Sequence, residues 1–356
     1  MHGFSAGNCR ARQAARALVG ATALAVGGCG WIDVGWGALT YPTTKAGESA
    51  NVVVSGGFAY ATQGDHGIAV IDLASPASRR VIPAAPGTSV DDLAVADGLL
   101  FALDAHPPGH LGTYSLADPA TPTLVQAPAP VAVGPFSGVS AANGLVVVSG
   151  GTSLLSLRRY TREGNLGAEV TTLDLGRGQP DVLLADDHRH AFVSVHDEGP
   201  HFSLAILELT SEPLAARPIA KLPLDTYGFT PGGARPASFP IEMATIANLL
   251  LVASAAGLQV IDVANPAAPR ILATFKPTAL PVNVDARAGV AAVVGSDPAP
   301  ELSLVDLANP VSPKLLRSIR LPEGSLATGV AIAGRQVVVA AHAADTLVFN
   351  LDEFTR

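Results

Sequence analysis

A short phrase returns along this chain with only small changes, and a chain that repeats one supersecondary unit has few folds open to it. Residues 68–78 read IAVIDLASPAS, residues 258–269 read LQVIDVANPAAP and residues 303–313 read SLVDLANPVSP. Each is an apolar, β-branched run, then an aspartate (Asp72, Asp262 or Asp306), then a turn that closes on proline. The last two aspartates are 44 residues apart, and a degenerate copy at 112–122, GTYSLADPATP, puts Ser115 43 residues after Asp72.

Upstream of the phrase lies a hairpin signal: NVVVSGGFAYAT (51–62), DLAVADGLLFAL (92–103), GVSAANGLVVVS (138–149) and GVAIAGRQVVVA (329–340). In each, two short Val/Leu/Ala runs flank a tight Gly, Asn or Asp turn, the signature of paired antiparallel strands. A further short strand follows the phrase, as at Arg79 and Arg270. The unit therefore has four strands, a to d, with c ending on the aspartate. A lone four-stranded sheet leaves both faces wet, and radial stacking of such sheets buries them. The expectation is an all-β propeller of about seven four-stranded blades, starting near residues 51, 92, 138, 181, 242, 283 and 329. Repeats three to five run long, so six or eight blades also fit. The seventh repeat has no strand d, and WGALTYP (36–42) precedes the first repeat. That segment is expected to close the ring by completing the last blade.

The phrase resembles the LVIVD-repeat propeller family, named for its apolar-Val-Asp strand. The resemblance is strongest in repeats one, five and six. It fades in three and four, where LRRYTREGNLGAEV (157–170) and AILELTSEPLA (205–215) replace the Asp-x-x-x-Pro turn. It implies a propeller and a bacterial cell-surface location, and it brings no catalytic residues with it. The repeated aspartate itself reads as structural, since a carboxylate at a strand end can accept N–H groups of the next turn.

The first thirty residues read as an address. Arg10, Arg12 and Arg16 lead into an apolar run, Ala17 to Val26, and then Val26-Gly27-Gly28-Cys29. A run of this length is too short to span a bilayer, which takes ~20 apolar residues, and has the size of a secretory signal core. The tetrad looks like a lipobox. The expected organisation is a lipoprotein signal peptide at 1–28, lipidated Cys29 with a short tether to 35, and one propeller domain over 36–356. Such a protein is exported and anchored in the outer membrane or at the cell surface. The only other cysteine, Cys9, lies in the leader, so the mature chain has no thiol pair and no disulfide framework.

A formal charge of −8 without Lys/Arg-rich runs leaves no electrostatic footprint for nucleic acid. No nucleophile elbow, zincin helix, P-loop, dinucleotide fingerprint or calcium-loop pattern is present. These absences point to a non-enzymatic scaffold that binds a protein, a glycan or an ion. The alternative is an extracytoplasmic propeller enzyme, a metal-assisted hydrolase or lactonase with scattered site residues.

Two sets of candidate residues emerge once side chains are sorted by strand. The first residues of the seven a strands are Asn51, Asp92, Gly138, Asp181, Glu242, Asn283 and Gly329. Strand a is innermost in a propeller, so Asn51, Asp92, Asp181, Glu242 and Asn283 should form an oxygen-rich ring at the channel mouth. Such a ring suits Ca²⁺, another divalent cation, or a cationic or sugar-like ligand. The second set is six of the nine histidines, His66, His106, His110, His196, His201 and His342, all in b–c loops on that same face. With Asp65, Asp104, Asp197 and Asp345 beside them they form candidate ligands for Zn²⁺ or a similar metal. His188 and His190, with Asp186 and Asp187, fall in an a–b turn instead. The length of strand b, ~20 Å, separates them from His196 and His201.

Overall fold

A computed structural model describes residues 49–351 except 107, 132–137, 151–153, 176–180, 198–201, 225–241, 255, 296–297 and 343. Its strands fall into seven separate antiparallel sheets, with one 3₁₀ turn at Gly64–His66. Six sheets hold the strand order a-b-c-d, and the second adds a two-residue strand, Ala129–Pro130, beside its strand c. The a strands are Val52–Ser55, Asp92–Ala96, Val139–Ala142, Val182–Leu184, Glu242–Ile246, Pro281–Arg287 and Gly329–Ala333. Each lies against strand a of the next sheet, and the last lies against the first. The fold is a seven-bladed β-propeller, with blade starts where the repeat placed them.

The hairpin turns follow from local chemistry. Asp97-Gly98, Asn143-Gly144 and Gly56-Gly57 all carry two successive positive φ angles, the backbone that matches the twist of a two-residue hairpin. The repeated aspartates do what their position implied. Asp72, Asp262 and Asp306 each accept the backbone N–H two residues on, from Ala74, Ala264 and Ala308, at 2.9, 3.0 and 2.9 Å. In the degenerate copy Ser115 Oγ takes that role, receiving Ala117 N–H at 3.3 Å.

Packing explains why the blades form a ring. The buried apolar side chains sort into seven clusters, and each cluster draws on two neighbouring blades. Phe101 and Leu103 of blade 2 meet Val146 and Val148 of blade 3, for example, and the Phe101 and Tyr160 rings lie 4.8 Å apart with their planes tilted by 53°. Strand alternation supplies this arrangement, since successive side chains enter the cores on opposite faces of one sheet.

Blade 7 meets blade 1 through Ala331, Val338 and Ala340 packed on Val52, Ala59 and Ala61. Polar links reinforce that seam: Gln336 donates to the Leu73 carbonyl at 3.0 Å, Thr328 to the Ala50 carbonyl at 2.6 Å, and Arg79 pairs with Asp345. Among the described residues blade 7 has three strands, with Thr346–Asn350 last. The expected closing segment 36–42 and Cys29 lie outside the described residues. The first described residue, Ser49, forms an antiparallel bridge with His342 and donates from its hydroxyl to the Asp345 carbonyl at 2.8 Å.

Candidate functional site

Each a strand begins at the face where the b–c loops emerge, because a and b run antiparallel. The first residues of the a strands therefore surround the axis, and their bonding shows what holds them. Asp92 Oδ1 accepts its own strand's Leu93 N–H at 2.8 Å, while Oδ2 accepts Val139 N–H from blade 3 at 2.8 Å. Asp181 repeats the pattern, with Val182 N–H at 2.7 Å on Oδ1 and Met243 N–H from blade 5 at 3.1 Å on Oδ2. Asn51 accepts Val52 N–H on its amide oxygen and donates from its amide nitrogen to Asp92 Oδ1. The carboxylates thus clasp one blade to the next.

The two glycines of the ring fit the same scheme. A Cβ on Gly138 would lie 3.1 Å from Asp181 Oδ1, and one on Gly329 would lie 2.9 Å from the Asn51 Cα. Both leave room for a neighbouring blade's first residue. Blade 6 differs. Asn283 is buried there, but the clasp is made two residues deeper by Asp285, which receives Ala286 N–H at 2.7 Å and Ile332 N–H of blade 7 at 2.6 Å. Asp285 escaped the sequence reading because the alignment of strand starts stopped at Asn283. A carboxylate inside the apolar run PVNVDARAGV was the signal available.

Three acids from blades 2, 4 and 5 act on one another across the axis. Burial pushes Asp92 up to about 6, against the pull of the Val139 and Leu93 N–H groups. Burial, then the charges of Glu242 and Asp92, hold Asp181 well above the usual carboxylate range. Glu242 is pushed up to about 8, by burial first and then by Asp92. Glu242 keeps a partial opening to solvent and makes no hydrogen bond to a described residue.

The histidine loops are brought together only in part. His106 and His110 meet at Asp104, with His106 Nδ1 3.4 Å from one carboxylate oxygen and His110 Nδ1 3.6 Å from the other. Asp91, the neighbour of the axial Asp92, adds its Oδ2 at 3.1 Å from His106 Nδ1. Hydrogen bonding to Asp104 and then to Asp91 raises the His106 imidazole to about 10. Burial raises Asp104, and the His106 ring and N–H outweigh it, leaving that carboxyl below its ordinary value.

Among the described residues, Asp91, Asp104 and His106 are the one group whose three ligand atoms all lie within 4.8 Å of one another. The axial acids do not meet that distance as a set, and neither His66 nor His342 joins such a group. His66 ends the exposed 3₁₀ turn, and His342 is buried at the seam beside Ser49. His201 and the His196 side chain lie outside the described residues. His190 is held by Asp187 within its own a–b turn, at the far end of the seven-residue strand b from His196.

Comparison with known proteins agrees with this architecture. The LVIVD repeat family matches at residues 46–81 and 247–276. No curated protein sequence matches the chain. Among solved structures, hydrazine synthase of Kuenenia stuttgartiensis superposes with a TM-score of 0.63 at 10% identity, over 90% of this chain and 99% of that one. Virginiamycin B lyase of Staphylococcus aureus gives 0.59 at 14% identity over 86% and 95%. The WD40 propeller domain of Doa1 gives 0.58 at 12% identity over 85% and 93%. At these identities the likeness is one of fold, shared by enzymes and a WD40 domain alike.

Proposed function

Because this chain is a β-propeller carrying LVIVD repeats, we propose that it is a non-enzymatic extracytoplasmic recognition scaffold that binds a basic protein segment at the mouth of its axis. The observation that carries this reading is the trio Asp92, Asp181 and Glu242: acids from three blades sharing one field, with Glu242 making no hydrogen bond to a described residue. They are spread too widely to meet as the ligands of one bare ion. A lysine or arginine side chain, entering along the axis, offers several donors to carboxylates arranged in this way. The bonds of Asp92 and Asp181 to neighbouring backbones favour a fixed electrostatic socket over groups poised for proton transfer.

In this proposal Cys29 carries the lipid that holds the propeller at the outer membrane or cell surface. The lipobox-like tetrad and the short apolar run before it support that location. Metabolic labelling with a fatty-acid analogue tests the anchor: the parent should take up label, and Cys29→Ala should be unlabelled. Label retained by the variant would sink the anchor.

Binding is tested with the purified protein and a lysine/arginine-rich peptide, its acetylated counterpart, an amino-sugar oligomer and Ca²⁺. At pH 9, where Glu242 is ionised, the expected result is peptide binding that weakens at least tenfold on acetylation of its lysines and in Glu242→Gln. Tighter binding of the oligomer or of Ca²⁺, or peptide binding indifferent to Glu242→Gln, would overturn the reading.

A further inference from the structure

Blade 2 carries a second constellation that the axial reading does not use. Asp91, just before strand a, and Asp92, its first residue, are adjacent, and their side chains bond to different parts of the molecule. Asp92 reaches to blade 3, while Asp91 turns over the end of its own blade. There Asp91 Oδ2 accepts Ala105 N–H at 2.8 Å and faces His106, and Oδ1 accepts the Ser89 hydroxyl at 3.1 Å. Asp104 closes strand b (Leu99–Asp104) directly opposite His110, which opens strand c (His110–Ser115). Asp104 is 5% exposed, and its Oδ1 receives His106 N–H at 3.0 Å.

Two carboxylates and two imidazoles are thereby fixed by backbone bonds and strand pairing. We propose that Asp91, Asp104, His106 and His110 form a binding site for one divalent ion of Zn²⁺ type. Three observations support it. The ligand atoms of Asp91, Asp104 and His106 already lie within 4.8 Å of one another. The separations of His106 Nδ1 from Asp91 and Asp104, 3.1 and 3.4 Å, match the ligand–ligand edge of a tetrahedral ion, about 3.4 Å for bonds of ~2.1 Å, while His110 Nδ1 approaches the other Asp104 oxygen at 3.6 Å.

The third observation is independent of the first two. His110 Nδ1 is a buried atom with no hydrogen-bond partner among the described residues; the nearest carboxylate oxygen, Asp104 Oδ2, stands 3.6 Å away. His110 and Asp104 together line a small cavity between the end of blade 2 and Ser89. A buried ring nitrogen that makes no hydrogen bond is costly unless something with an empty orbital or a proton meets it. A mixed nitrogen–oxygen set selects a borderline ion over Ca²⁺ or Mg²⁺, which prefer oxygen alone. The two carboxylates neutralise the ion's charge, and the His106 side chain, 58% exposed, leaves it a path from solvent.

The test uses the purified full-length protein, stripped of metal by a chelator and titrated with Zn²⁺ against a chromogenic competitor. One equivalent should bind tightly, and thermal unfolding should shift upward with Zn²⁺ but not with Ca²⁺. Both His106→Ala and His110→Gln should weaken binding at least tenfold while keeping the parent's circular dichroism, since neither ring is part of an apolar core. Glu242→Gln, which alters only the axial socket, should bind Zn²⁺ like the parent. Co²⁺ substitution should give the intense visible bands of a four-coordinate ion in the parent and lose them in His106→Ala. No stoichiometric binding, or binding that survives both histidine variants, overturns the site.

Discussion

The aspartates that end the c strands, Asp72, Asp262 and Asp306, and those of the inner strands, Asp92, Asp181 and Asp285, accept backbone N–H groups in opposite surroundings. The first set lies on the face where the a–b turns emerge. Each closes its own turn, and Asp262 also pairs with Arg270 at 2.8 Å. Its Ala264 N–H and Arg270 hold Asp262 below the usual carboxylate range. The second set lies toward the axis, reaches across to another blade, and is pushed upward by burial in every case. A carboxylate in water makes a turn, whereas a buried one joins two blades and carries a standing electrostatic cost. The inner set therefore carries the ring's cohesion.

That contrast can be broken by substitution. Asp181→Ala should have the largest effect, a loss of about 3 kcal/mol in denaturant unfolding, because Val182 and Met243 N–H groups lose a buried acceptor. Asp181→Asn should recover most of it; an equal loss in both would mean that charge, and not acceptance, is what the position supplies. Next comes Gly329→Ala, expected to cost about 2 kcal/mol as its methyl meets the Asn51 backbone. An unchanged midpoint would show that the blade 7–blade 1 seam is looser than drawn.

Glu242 sharpens the comparison through pH. Its folded-state value of about 8 lies above that of an unfolded glutamate, so its contribution to stability is complete below about 4.5. Between there and 8 the unfolded chain has released a proton that the folded chain still holds, and stability falls as pH rises. With Asp92 and Asp181 as the facing acids, Glu242→Gln should gain about 1–2 kcal/mol over the parent at pH 9 and nothing at pH 4. A pH-independent difference between the two proteins would remove Glu242 from the coupled set. The smallest effect belongs to the turn-closing set: Asp306→Ala should cost about 0.5 kcal/mol, one partly solvated hydrogen bond, measured in the same denaturant titration. A loss as large as that of Asp181→Ala would erase the distinction between the two faces.

The blade frame was legible because its signals are local. Asp72 with Ala74, or Asn143-Gly144 in its hairpin turn, depends on residues two positions apart, and hydrophobic alternation repeats those signals until the register is unambiguous. The candidate residues were only half legible. Alignment of strand starts located Asp92, Asp181 and Glu242 at the axis, but their partners are Val139, Met243 and one another, 47 to 62 residues away where a backbone bond is made. No local pattern encodes that, so a clasp and a ligand ring look alike in the sequence. Asp91 was missed for a related reason. It precedes the strand, and only the fold of the b–c loop brings Ala105 and His106 to it. His66 and His342 shared a loop class with His106 without converging on it, because b–c loops of different blades emerge at separate points around the disc.

The seven cores, each shared by two blades, have a consequence for how the molecule comes apart. An open stack of repeats has two terminal units, and fraying begins there. A closed ring has no such boundary: every blade is an interior blade, and none can leave without baring a half-core on each side. Among the described residues, the junction of blades 7 and 1 is where the boundary is abolished by contact and not by a connecting segment. It is also where Ser49 forms its bridge with His342. The junction is a latch. While it holds, the ring can only melt as a whole.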